Sequence, residues 1–182
     1  PTTGAVVPPI YQVSTFKQDG VGGLRGGYEY ARSGNPTRDA LQECLAALEE
    51  GTHAFAFASG LAAEDTLLRT VLSPGDHVVV PDDAYGGTYR PFARVLERWG
   101  VAFTPARLTD VAAVEAAMTS ATKLIWIETP TNPMLRIADI QALSDLAHSR
   151  GARVVVDNTF ASPALQTPLA LGADVVVHST TK

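Results

Sequence analysis

From about Arg38 onward the chain alternates between two hydrophobic rhythms. Short Val-rich runs mark strands, and apolar residues three and four apart mark helices. A helix is predicted over about Arg38–Glu50, with Leu41, Leu45 and Leu48 on one face. Asn35 or Thr37 is its N-cap and Gly51 its C′ residue. His53–Ala58 alternates phenylalanine with alanine and reads as a strand. Ser59-Gly60-Leu61 then opens an apolar helix to about Leu72, and Ser73–Asp76 is a turn. Further strands are predicted at His77–Pro81, Val101–Pro105, Lys123–Glu128, Arg153–Asp157 and Val175–Val177. Between them lie helices at about Thr88–Arg98, Asp110–Met118 and Asp139–Arg150, with a short one near Leu169. The Thr88–Arg98 helix carries Phe92, Val95, Leu96 and Trp99 as its apolar face, and Gly100 ends it. Strand and helix in turn imply an α/β fold: a mostly parallel sheet with helices on both faces. The continuous Val175–Val177 run reads as a strand buried on both sides.

Residues 1–27 do not share these rhythms. They are rich in Pro and Gly and read as an extended arm of the kind that wraps a neighbouring subunit. With the first helix they make an N-terminal region, residues 1–50, preceding an α/β domain over 51–182. Gly22, Gly26 and Gly27 follow no strand and open no helix, so they are not a dinucleotide-binding loop. That argues against a nicotinamide-type oxidoreductase. The chain stops at Lys182 with no closing helix. This reads as the first part of a longer chain, or as a break at a covalently modified lysine.

Composition narrows the function. The 182 residues are 46% hydrophobic and 18% charged, enough for one sizeable core. A net charge of -5 without a Lys/Arg cluster argues against nucleic acid or an anionic membrane as partner. No apolar run approaches about 18 residues, so no transmembrane helix is expected. No signal-peptide pattern opens the chain, and a cytoplasmic protein is the default. Cys44 is the single cysteine and is assigned to core packing within the first helix. The four histidines lack metal-ligand spacing, and no metal is expected; His178 reads as a packed residue.

In open α/β sheets ligands bind beyond the carboxyl ends of the strands. Ser179, Thr181 and Lys182 follow one strand, Asp157 closes another, and Asn132 follows a third. A lysine and a buried aspartate at neighbouring strand ends fit a cofactor that needs both. Pyridoxal phosphate (PLP) is one: its aldehyde condenses with the lysine, and the aspartate partners its pyridinium nitrogen. A neutral amine is then required, which burial beside other cations provides. Ser59-Gly60-Leu61 at a helix N-terminus makes an anion site suited to phosphate. Tyr85, beside Gly86 and Gly87, reads as a ring able to lie against a planar ligand, or as a surface plug. Arg90 sits in the first turn of its predicted helix, against the dipole preference, which points to an anionic ligand or a salt bridge.

Six ordered motifs carry a resemblance. They are Tyr30-Ala-Arg32 before Gly-Asn-Pro-Thr37, Ala58-Ser-Gly-Leu61, Tyr85-Gly-Gly-Thr88, Glu128-Thr-Pro-Thr-Asn-Pro133, Asp157-Asn-Thr-Phe160 and His178-Ser-Thr-Thr-Lys182. Together the chain resembles the Cys/Met-metabolism PLP enzymes: cystathionine γ-synthases, cystathionine γ-lyases and methionine γ-lyases. The resemblance spans essentially the whole chain. It implies the large domain of a fold type I, aspartate-aminotransferase-like PLP enzyme.

The resemblance also implies roles. Lys182 would hold PLP covalently and shuttle protons. Asp157 would keep the pyridine nitrogen protonated, with Thr159 supporting the ring nearby. Tyr85 would stack on the ring and assist catalysis. Ser59, Gly60, Leu61, Ser179 and Thr181 would hold the phosphate. Asn132 would meet the ring hydroxyl or the substrate carboxylate, and Arg90 would lie near the substrate. Tyr30 and Arg32 would reach the phosphate of a neighbouring subunit, in a homotetramer built from dimers with shared sites. The implied reaction is γ-replacement or γ-elimination on a homoserine-derived sulfur amino acid. The synthase, joining an O-acylhomoserine to cysteine, is the favoured member, and the lyase is the alternative. Methionine γ-lyases carry a cysteine near the position of Gly87, and this chain has none. The family's smaller C-terminal domain, with its carboxylate-binding arginine, is absent from these residues. A non-catalytic α/β binding protein is the reading from a different class.

Overall fold

A computed structural model describes residues 4–182 of the chain. Two compact units divide at residues 56 and 57.

The second unit holds five parallel strands in the order β2-β1-β3-β4-β5. In chain order they are β1 (His77–Pro81), β2 (Ala102–Ala106), β3 (Thr122–Glu128), β4 (Arg153–Asp157) and β5 (Val175–Val177). Parallel neighbours need crossovers, and helices supply them. The helices are α2 (Gly60–Val71), α3 (Gly86–Pro91), α4 (Val111–Ala117), α5 (Ile140–Ser149) and α6 (Ser162–Leu165). Successive strand residues point to opposite faces, so β1 to β4 each feed two cores. Val79, Ile125, Ile127, Val154 and Val156 pack with Val114 of α4 and Leu143 and Ala147 of α5. Val78, Val80, Leu124, Trp126 and Val155 pack with Leu68 of α2 and with Phe92 and Leu96. Helices on both faces and a parallel sheet are the architecture that the alternating pattern predicts.

Three predicted elements differ from the sequence reading. His53–Ala58 forms no strand; it enters no β-bridge, and Phe55 stays 76% exposed. Alternation shows which faces a segment would offer, but a strand also needs a hydrogen-bonding partner. The predicted Thr88–Arg98 helix starts earlier and breaks up. It runs as α3 to Pro91, then as a π-helical turn over Phe92–Leu96 and a 3-10 turn over Glu97–Trp99. Pro91 has no N–H to give, which weakens the ladder at that point. Gly100, at φ 91°, closes it in the left-handed conformation. Finally, β5 is an edge strand and its three valines are only half-buried, not covered on both faces.

In the first unit, α1 (Pro36–Leu48) is capped by Asn35, whose side chain accepts from Thr37 N–H at 2.9 Å. Its C-terminus is a Schellman motif: Gly51 N–H donates to Ala46 C=O and Glu50 N–H to Ala47 C=O. The left-handed residue is therefore Glu50, at φ 58°, and not Gly51. Leu41 and Leu48 are exposed, and so is Cys44, which corrects its assignment to core packing. The preceding residues fold back through three isolated antiparallel bridges, Thr15 to Tyr30, Gln18 to Leu24 and Arg25 to Tyr28. An ion pair between Arg25 and Asp19 closes the Gly-rich turn. Tyr30 and Arg32 lie beside one another, with the guanidinium 4.9 Å from the ring centre.

Among the described residues no helix is long and apolar enough to cross a membrane, and no cluster of His, Cys, Asp and Glu could hold a metal.

Candidate active site

The carboxyl ends of β1, β3, β4 and β5 open toward one cleft of about 200 Å³. The strand order reverses direction between β1 and β3, and such a switch point leaves a crevice that no crossover fills. Ten of the predicted site residues line it: Ser59, Gly60, Leu61, Tyr85, Arg90, Asn132, Asp157, Thr159, Ser179 and Lys182. Thr181 is not on the lining, but its Oγ1 lies 3.0 Å from Ser179 Oγ and 3.4 Å from Lys182 Nζ. Tyr30 and Arg32 belong to the first unit.

Each lining residue is held by local structure. Ser59 caps α2, its Oγ accepting from Ala62 N–H at 3.1 Å. Gly60 comes so close to the β5 end that a Cβ there would lie 3.0 Å from Ser179 Cβ. Asp157 Oδ1 accepts from Thr159 N–H at 2.9 Å, and Thr159 Oγ1 accepts from Ser179 N–H at 2.9 Å. These two bonds tie the β4 loop to the β5 loop. Tyr85 sits at the start of α3 with its ring over Gly87, where a Cβ would meet the ring at 2.2 Å. Gly87 is thus required by the tyrosine's own pose.

Several expectations need correction. Lys182 is exposed and Asp157 half-buried, where both were read as buried. The lysine lies beyond an edge strand, so less of the fold covers it. Arg90 is in the last turn of α3, not a first turn, so no dipole conflict exists. Among the described residues Arg90 enters no ion pair, which removes the salt-bridge alternative.

Two carboxyl groups of the cleft escaped the sequence reading. Glu64 is 6% exposed and lies one turn beyond Gly60 on α2. Burial pushes its carboxyl up to about 7; the Thr88 hydroxyl opposes that rise, and the charges of Asp157 and Glu128 add to it. Even so, Glu64 Oε2 and Thr88 Oγ1 are buried without meeting a hydrogen-bond partner in good geometry. Glu128 ends β3 directly opposite Asp157 in the β3–β4 register. Its Oε2 accepts from Tyr85 N–H at 2.8 Å and its Oε1 from Asn132 N–H at 2.6 Å. Burial raises it to about 7 as well, against the two N–H bonds and with help from Asp157 and Asp83. The sequence did hold one signal for Glu64: it is an acid in the apolar series Gly60, Leu68. Gly87, Pro130 and Phe160 complete the lining.

A family model described as "Cys/Met metabolism PLP-dependent enzyme" matches residues 1–182. The chain belongs to that family. It is 67% identical over its whole length to a cystathionine gamma-synthase of Mycobacterium bovis, of which it covers 47%. Against the crystal structure of metB from Corynebacterium glutamicum the TM-score is 0.96 with 54% identity, over 98% of this chain and 46% of that one. Cystathionine gamma-lyase from Lactobacillus plantarum, complexed with L-serine, gives 0.92 and 51%, over 97% and 46%. The chain thus spans about half the length of the relatives it matches. Both structures put the chain in fold type I.

The family's cofactor is pyridoxal phosphate, and the cleft fits it. A primary amine and a carboxylate face one space, a ring lies over one side, and hydroxyls gather where Gly60 lets α2 meet the β5 loop.

Proposed function

We propose that this chain supplies the cofactor-binding part of an enzyme that performs γ-replacement on an O-acylhomoserine, with cysteine as nucleophile. The observation that carries this reading is the meeting of Lys182 and Asp157 in one cleft beyond neighbouring parallel strands. Relatives named cystathionine gamma-synthase at 62–67% identity favour replacement. A relative named cystathionine gamma-lyase, at 52%, keeps elimination as the second reading.

When bound, pyridoxal phosphate draws electrons from the substrate's Cα, so that protons on Cα and then Cβ become removable. The chain's residues do the rest. Lys182 Nζ would hold the cofactor covalently between turnovers and would carry those protons. Asp157 presents a carboxylate to the pyridine nitrogen, held in position by Thr159 N–H. The Tyr85 ring covers one face of the cleft and excludes water. Ser59, Gly60, Leu61, Ser179 and Thr181 give hydroxyls and free N–H groups to the phosphate. Arg90, with no carboxylate partner of its own, faces the anionic end of the substrate, and Asn132 faces the ring hydroxyl or the substrate carboxylate. Tyr30 and Arg32 serve the phosphate of a neighbouring subunit in a homotetramer.

Borohydride reduction followed by peptide mass analysis tests this directly. The cofactor's mass should appear on Lys182, and Lys182→Ala should abolish turnover of O-succinylhomoserine with cysteine. An unmodified Lys182 in cofactor-saturated protein would overturn the reading. A wild-type protein that consumes cystathionine but not O-succinylhomoserine would select elimination.

A further inference from the structure

We propose that Glu128 is a positioning residue that ties the Tyr85 loop to the Asn132 loop, one carboxylate oxygen to each backbone N–H. The inference rests on the cofactor reading above, which gives Tyr85 and Asn132 their work. Glu128 is 4% exposed and stands at the end of the central strand, so its own position is fixed by the sheet. Neither N–H finds an acceptor within its own loop. Tyr85 opens α3 without a side-chain cap. Asn132 lies between Pro130 and Pro133, neither of which has an N–H.

Farther from the cleft the same loops are joined a second time. Thr131 Oγ1 donates to Asp83 at 2.7 Å, and Arg136 pairs with Asp82 at 3.0 Å and Asp83 at 3.5 Å. This outer tie keeps the loops together when the inner one changes. Glu128 therefore sets where two site residues stand and not whether the loops fold.

Its hold depends on ionisation. A carboxylate accepts from both N–H groups; a protonated carboxyl keeps one acceptor and points an O–H at the other donor. The groups facing it are Asp157 from β4, Asp83 from the β1 loop and Glu64 from α2. The cations Arg90 and Lys182 line the same cleft, and Arg136 stands behind Asp83. Burial and the charges of Asp157 and Asp83 raise its pKa to about 7, and the tie completes above it. Glu128→Gln keeps the shape but has one acceptor, and so reproduces the protonated pattern at every pH.

The test compares wild type, Glu128→Gln and Glu128→Asp, loaded with pyridoxal phosphate. Amide hydrogen exchange is followed at Tyr85 and Asn132, and kcat/KM for O-succinylhomoserine with cysteine is followed against pH. In both variants one of the two amides should exchange about ten- to a hundredfold faster, with α2 and β3 amides unchanged. In Glu128→Gln, kcat/KM should fall about tenfold, and its rise through pH 7 should disappear. Unchanged exchange at both amides overturns the proposal. So does loosened exchange with a wild-type pH profile, because the tie would then serve the fold alone. If wild type takes up no cofactor, the functional reading fails by itself, and exchange on the unloaded protein still decides whether the tie exists.

Discussion

Glu64 is a carboxylic acid on the face of a helix that also buries Leu68. Its carboxyl ordinarily titrates near 4.5 and is raised to about 7 in the fold. The folded state therefore binds the proton more tightly than the unfolded one. The stability that this carboxyl contributes is greatest below pH 4.5, falls as pH rises through 7, and then levels off. A shift of that size corresponds to about 3 kcal/mol. Glu64→Gln should match wild type near pH 4.5 and exceed it by roughly that amount at pH 8. Urea unfolding at the two pH values measures this, and an equal difference at both would refute it. At this scale the site was unevenly legible. Asp157, Asn132 and Lys182 could be named because a residue just past a strand has a known address in a parallel sheet. Glu128 could not, and Glu64 only as an acid in an apolar series, because their importance lies in standing near Asp157 across three elements that no local pattern connects.

At the scale of elements, His77 shows how the strands are locked at the end away from the cleft. Its Nδ1 meets Thr122 Oγ1 at 2.8 Å on β3, and its Nε2 meets Thr104 Oγ1 at 2.9 Å on β2. One imidazole thus spans three strands where the β1–β3 register shifts. Burial lowers its pKa from 6.5. The unfolded state then binds the proton more readily, so the stability His77 contributes is complete above pH 6.5 and is lost as pH falls below it. His77→Gln cannot ionise and should flatten the loss of melting temperature as pH falls below 6.5. A wild-type melting curve already flat in that range would contradict this. The strands were the most legible elements, since runs such as Val78–Val80 and Val154–Val156 suit only a strand covered on both sides. Where the reading failed, neighbours decided. Nothing in the Phe55–Phe57 rhythm reveals the lack of a partner strand. Nothing in the Val175–Val177 run reveals an edge. Pro91 was visible, but a proline in a helix permits either a kink or a change of helix type.

At the scale of the molecule, the chain carries an amine, an acid and a ring in one cleft, while residues 4–35 hold only turns and isolated bridges. Arg32 in the first unit is exposed, stacks on Tyr30 and, among the described residues, pairs with no carboxylate. A guanidinium held on an aromatic ring keeps its N–H fork free to donate to two oxygens of an anion such as phosphate. The proposal that it serves a neighbouring subunit's cofactor makes the site a property of the dimer. That has a numerical consequence. Arg32→Ala and Lys182→Ala should each be inactive or nearly so alone, because each spoils both sites of its own dimer. Co-expressed in equal amounts, they form hybrids in about half the dimers, and each hybrid has one site with both defects and one with neither. Activity should then return to about a quarter of the wild-type value. Recovery no greater than the sum of the separate variants would show that Arg32 and Lys182 act within a single subunit, and the arm would need another explanation.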